Sequence, residues 1–348
     1  MTHHRSIAGH RIGTRAALVL AGLAACSDST DANDSTGPSE ATQGDSAEQT
    51  GGDETGGGDP GILVGSFQLQ LTEPKPATDG SPATPGTTSI FGKIYDGPTP
   101  EQLVWEPGMQ ADACQLLTPR VPFCNTPCGG SAACVEDDTC QDYPEAHSAG
   151  PVHVSGVATA AGESSFTMEP IANNYQAPAS SPLAYPGFAA ADPISVEADG
   201  DEVGGFALSA SGVDPLELTA DDLTLDRATD LDLTWVAATA GDSVIQVKLD
   251  ISHHGGTKGK LECETADTGS LSIPAAMVAA LLDLGVSGFP TIVVTRSATG
   301  SATTSAGRID LVVSAGIERT VLIEGLTSCT DDSACPDGQS CQPDLSCA

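Results

Sequence analysis

Ile245-Gln-Val-Lys-Leu-Asp-Ile251 alternates apolar and polar side chains without a break, and Ser66-Phe-Gln-Leu-Gln-Leu71 does the same. A period of two places Ile245, Val247, Leu249 and Ile251 on one face of an extended chain and their polar neighbours on the other. That is the signature of a strand with one face in a core and one in water. Outward from these two anchors the pattern predicts strands over 89–95, 152–157, 165–169, 194–198, 206–210, 231–236, 260–264, 291–296, 308–313 and 319–324. Gly-, Asp- and Ser-rich turns such as Glu197-Ala-Asp-Gly-Asp201 separate them. Many short strands with such punctuation predict an all-β chain, an antiparallel β-sandwich. One helix is expected over 274–284: Pro274 suits a first turn, Gly285 stops it, and Met277, Leu281 and Leu284 share a face. It reads as a cap over one end of the sandwich.

The sandwich occupies 61–325 and carries a Cys-rich insert over about 106–148. A small Cys-rich module, 326–348, follows. Five cysteines fall in the insert (Cys114, Cys124, Cys128, Cys134, Cys140), four in the tail (Cys329, Cys335, Cys341, Cys347), and Cys263 stands alone on a predicted strand. Structural zinc favours Cys pairs two to four residues apart, and only the Cys124–Cys128 gap qualifies. Disulfides are the favoured reading in both clusters. An odd cluster must send one bridge elsewhere, and Cys263 is the parsimonious partner; the remaining connectivity stays open.

The N-terminus carries its own message. Arg5, Arg11 and Arg15 precede an apolar run, Ala16–Ala25, which is too short to span a bilayer. Leu23-Ala24-Ala25-Cys26 then resembles the lipobox of bacterial lipoproteins. The resemblance implies a signal peptide over 1–25, removal of that leader, a diacylglycerol on the Cys26 thiol, and an extracytoplasmic protein held on a membrane. Ser27, where an Asp would imply inner-membrane retention, implies the outer membrane within that family. Removing Cys26 from the 11 cysteines leaves an even ten. Residues 27–60 hold nine acidic residues, seven glycines and no basic residue. That composition predicts a disordered spacer reaching about 30 Å.

Two further resemblances bear on organisation. Cys329-Thr-Asp-Asp-Ser-Ala-Cys335-Pro-Asp-Gly-Gln-Ser-Cys341 resembles small Cys-rich modules of secreted proteins, and the spacing over 128–140 echoes it. The whole layout, together with Leu261-Glu-Cys-Glu264 and Gly269-Ser-Leu-Ser-Ile-Pro274, resembles surface lipoproteins of myxobacterial type. That family resemblance implies location and fold and carries no activity.

Charge narrows the partners. The chain has 47 acidic and 13 basic residues, a formal net charge of −34. Nucleic-acid binding needs clustered Lys and Arg to neutralise phosphate, and docking on anionic headgroups needs the same, so both are excluded for the folded region. Aromatic residues are only 4%, with Trp105 and Trp235 the two tryptophans, so stacking platforms are scarce.

No catalytic set emerges. Gly285-Val-Ser287-Gly-Phe289 approaches a nucleophile elbow but fails at Phe289. His254-Gly-Gly-Thr257 reads as a hairpin turn. Adjacent His253 and His254 at a strand end should point to opposite faces, a poor arrangement for a shared metal. Asp199, Asp201 and Glu202, the Asp221–Asp222 pair and the Asp331–Asp332 pair are candidate calcium ligands, yet they read better as solvated turns. No cofactor or metal is expected. The leading functional expectation is a non-enzymatic envelope protein that binds an unidentified protein or glycan or serves as a structural module. The alternatives are a hydrolase using paired carboxylates and a calcium-dependent adhesion module.

Overall fold

A computed structural model describes residues 61–77, 82–220 and 223–348. The leader 1–25, Cys26, the spacer 27–60 and the Asp221–Asp222 pair lie outside the described residues.

The described chain is a succession of strands. The first group is β1 (Leu63–Thr72), β2 (Thr87–Ile94), β3 (Val104–Ala111), β4 (Cys114–Arg120), β5 (Ala132–Glu136), β6 (Thr139–Asp142), β7 (Val152–Ser155), β8 (Ser165–Met168) and β9 (Asn174–Gln176). The second is β10 (Pro193–Gly200), β11 (Gly204–Ser211), β12 (Leu223–Leu225), β13 (Leu231–Thr234), β14 (Val244–Asp250), β15 (Lys260–Ala266) and β16 (Ser270–Ile273). The helix α1 (Ala275–Leu282) precedes the two longest strands, β17 (Thr291–Thr303) and β18 (Arg308–Ile323). The expected all-β sandwich is therefore what forms. The two strands expected over 308–313 and 319–324 are one strand, because Ser314-Ala-Gly-Ile317 continues the pairing with β17 where no turn residue forces a reversal.

The large sheet runs β3-β4-β15-β14-β17-β18-β1-β2-β9, with β12 also on β18. Most neighbours are antiparallel. Two are not: β1 lies parallel to β18, Gly65 opposite Ile309 through Thr72 opposite Gly316, and β12 is parallel to β18 as well. Along β14 the buried positions are Ile245, Val247 and Leu249, the face the alternation assigns to the core. A second sheet, β11-β10-β7-β8, packs on the large sheet where β11 crosses β17 and β18. Phe67 of β1 meets Phe206 of β11 at 5.7 Å between ring centroids and Tyr175 of β9 at 5.6 Å. Tyr175 is buried with its hydroxyl satisfied, accepting from the Ala149 N–H at 2.8 Å and donating to the Gly150 carbonyl at 3.1 Å. Where β17 passes β11, Gly300 lies against the Ser209 carbonyl, and a Cβ there would overlap that oxygen.

The helix packs on β3 and β4, with Met277 and Leu281 fully buried and Leu284 against the core beyond its last turn. The Asp230 carboxylate accepts the Ala275 N–H at 2.7 Å, placing a negative charge at the helix start where the exposed amides favour one. The outer edge strand, β3, is exposed from Glu106 to Gln110 and is interrupted by Pro107 and a bulge before Gln110. Both features blunt an edge against pairing with other chains.

One charged cluster is enclosed by the body. Arg296 of β17 is 1% exposed and its guanidinium uses every N–H it has. Two reach Asp267, at 2.5 and 3.2 Å; the others reach the carbonyls of Asp214, Pro215 and Val236. Asp267 also accepts from the Trp235 indole at 2.7 Å and the Ser243 hydroxyl at 2.8 Å. Burial pushes the Asp267 carboxyl upward, but these donors outweigh it and hold the group below the usual carboxylate range. The cluster staples separate loops to the sheet.

Candidate functional site

The ten cysteines of the described residues pair completely. Cys114 and Cys263 face each other across β4 and β15, Cα atoms 4.0 Å apart, and their bridge joins residues 149 apart in sequence. The insert holds Cys124–Cys134 and Cys128–Cys140; the tail holds Cys329–Cys341 and Cys335–Cys347. In both segments the first cysteine bonds the third and the second bonds the fourth. In both, the third and fourth lie opposite each other in an antiparallel ladder, Cys134 with Cys140 and Cys341 with Cys347. The hairpin turns match too: Asp138 and Leu345, each four residues after the third cysteine, adopt positive φ values of 58° and 62°. The insert and the tail are two copies of one disulfide hairpin. Three sulfurs in each copy come within 4.8 Å of one another because the two bridges run side by side.

The copies differ in what covers them. The tail copy sits on the sandwich at Gly288, whose N–H donates to the Asp344 carbonyl at 2.7 Å and whose carbonyl accepts from the Ser328 hydroxyl at 2.5 Å. In the insert copy the positions corresponding to Asp344 and Ser328 are Asp137 and Phe123. These turn toward each other instead: the Phe123 N–H donates to the Asp137 carboxylate at 3.0 Å. That bond, followed by Arg120 at 2.8 Å, holds Asp137 below the usual carboxylate range. Among the described residues this edge stands open to solvent. Val121 is 73% exposed and Phe123 68%, and Tyr143, beyond β6 at the open end of the hairpin, is 45% exposed. Gln102 donates to the Tyr143 hydroxyl at 3.2 Å.

Beside Tyr143 lies an open cleft of about 320 Å³, lined by Asp96, Pro98, Gln141, Asp142, Tyr143 and Pro144 with Gly97. Its floor is fixed by the Gln141 amide on the Pro98 carbonyl at 2.7 Å and by the Glu145 N–H on Asp96 at 2.8 Å. The lining offers two carboxylates and no base, a complement for an ammonium or guanidinium group. His147 stands behind Asp96, its two ring nitrogens 3.6 Å from Asp96 and 3.4 Å from Glu202. Glu202 is held below the usual carboxylate range, first by the Ser148 N–H and then by His147.

Other residues singled out from the sequence have local roles. Ser287 is buried, and its hydroxyl donates to the Gly255 carbonyl at 3.1 Å. His253 and His254 correct their expectation: β14 ends at Asp250, the pair lies in the following turn, and positive φ at His254 breaks the alternation. Their ring centroids consequently lie 3.9 Å apart, with the planes tilted by 52°. Asp331 accepts from Ser333 and Asp332 from the Cys341 N–H at 2.8 Å, so both serve the tail copy's turns. Asp201 lies in the turn between β10 and β11, and Glu202 faces His147 as above. In the sequence the exposed Val121–Phe123 edge is marked only by two apolar residues flanking Pro122, a weak signal within a cysteine-rich stretch.

No known protein family and no curated protein matches the chain. Among solved structures, the FN1-FN3 domains of chicken CNTN1 overlay at 8% identity, covering 68% of this chain and 78% of that one, with a TM-score of 0.18.

Proposed function

We propose that this protein is an envelope lipoprotein, anchored through Cys26, that holds a β-sandwich head outside the cytoplasm as a binding module. The observation that carries the reading is the complete pairing of the ten described cysteines, chemistry suited to an oxidising compartment. The lipobox-like Leu23–Cys26 stretch and the acidic spacer supply the anchor and its reach. The head is non-catalytic in this reading, and its work is recognition by the insert. The test is the intact mass of the protein taken from membranes and alkylated without reduction. The expected species begins at a diacylglyceryl-modified Cys26 and carries no alkylated thiol. A chain that retains residues 1–25, or one with several alkylated thiols, sinks the reading.

A further inference from the structure

We infer that the uncovered edge of the insert copy, with the acidic cleft beside it, docks a basic polypeptide segment bearing apolar side chains. This deepens the binding-module reading and names its partner class. Three observations converge. First, the tail copy shows this hairpin's edge covered, with Ser328 and Asp344 closed over Gly288, whereas the insert presents Val121 and Phe123 to solvent at the matching edge. Large apolar side chains exposed close together in the chain beside a disulfide-pinned hairpin are costly to leave wet, and the pinned frame limits the entropy lost when a partner binds.

Second, charge selects the partner. From Asp96 to Glu145 the chain carries nine carboxylates and one base, Arg120. Arg120 is already paired, with Glu106 at 2.6 Å and Asp137 at 2.8 Å, and the Glu106 contact leads in raising its pKa. A second copy of this chain would bring the same negative field and be repelled, as would an anionic membrane surface; a basic segment is drawn in. Third, the cleft gives a cationic side chain a destination. Asp96 and Asp142 line it, Tyr143 offers a ring face, and Pro98 and Pro144 wall it. Tyr143 and Phe123 stand at the two ends of the β5–β6 hairpin, so an extended segment can place a base in the cleft and apolar side chains along the hairpin.

The probe is a fluorescent peptide alternating lysine with leucine, titrated onto the intact protein and read by anisotropy, with a glutamate-for-lysine counterpart. The expected result is saturable binding of the lysine peptide, none of the counterpart, and weaker binding as salt rises. The double variant Val121→Ser/Phe123→Ser should lose at least tenfold in affinity, and Asp142→Asn a smaller, several-fold amount. Ile171→Ser, on an exposed residue outside the insert, should match the wild type. An unaltered non-reduced mass and melting curve certify each variant's fold. Equal peptide affinity for wild type and the double variant, or no binding at all, overturns the proposal. Binding of a neutral oligosaccharide abolished by the same double variant, or a dimer dissolved by it in sedimentation, also overturns it. A protein that lacks the acyl group but binds the peptide fails the anchor reading alone; an acylated protein that ignores it fails this inference alone.

Discussion

Asp267 and Arg296 form a closed account of donors and acceptors, and that makes each costly to remove. Truncating Asp267 to Ala leaves a guanidinium uncompensated in the core, so Asp267→Ala should lose about 3–5 kcal/mol of stability, measured by denaturant titration. The carboxyl's depressed pKa also fixes a pH signature. Its ionised form contributes fully above the unfolded value of about 3.9, and the contribution is lost as pH falls through the still lower folded value. The melting temperature of wild type should therefore fall more steeply below pH ~4 than that of Asp267→Asn, which starts lower at neutral pH. Equal slopes would assign the acid sensitivity to other carboxylates. Gly300 is a second single-residue test: Gly300→Ala forces β17 away from the Ser209 carbonyl and should cost about 1–3 kcal/mol by the same titration. The Arg296 cluster was not legible in the sequence. An arginine ending a predicted strand looks like any solvated strand end, and its partner lies in a turn 29 residues earlier.

At the level of elements, legibility followed periodicity. Strands β1 and β14 were plain because one face is buried along their length and the other is not. The span of β18 was hidden because Ser314-Ala-Gly316 lacks the bulk that advertises a strand, although β17 pairs with it throughout. Neither parallel contact of β18 was readable, since parallel pairing is decided by which distant strands meet. The lone Cys263 was informative because its bridge fastens β4 to β15. Closing a segment of 149 residues should contribute about 5 kcal/mol in the chain-entropy account, against about 3 for each bridge closing 10 to 12 residues. Calorimetry on Cys114→Ala/Cys263→Ala should show the whole head melting at lower temperature. The paired variant Cys335→Ala/Cys347→Ala should instead loosen the tail copy first, seen as local loss of amide protection with the sandwich transition little moved. A global shift of equal size in both would show that the tail is part of the cooperative core.

Across the whole molecule the dominant fact is charge. A net charge of −34 opposes compaction through self-repulsion, and salt screens it. The melting temperature should rise as sodium chloride is raised from millimolar levels to about 0.5 M; a flat response would mean that local pairing already balances the surface. Composition and spacing made the all-β character and the two cysteine clusters legible, since strand alternation and cysteine density mark different stretches of the chain. The identity of insert and tail as copies was only hinted at by spacing, because the first cysteine interval differs, four residues in one and six in the other.

The parallel alignment of β1 with β18 has a mechanical meaning. The chain enters β1 at Leu63, opposite Arg308 at the start of β18, and leaves β18 at Ile323 for the tail copy. Tension applied between residue 61 and the C-terminus thus pulls two parallel strands past each other along their length. Their ladder is then loaded in shear, with its hydrogen bonds strained together, whereas a peeling geometry would break them one at a time. A head stretched in that direction gives way abruptly and at high force, as a clasp does, and does not unzip.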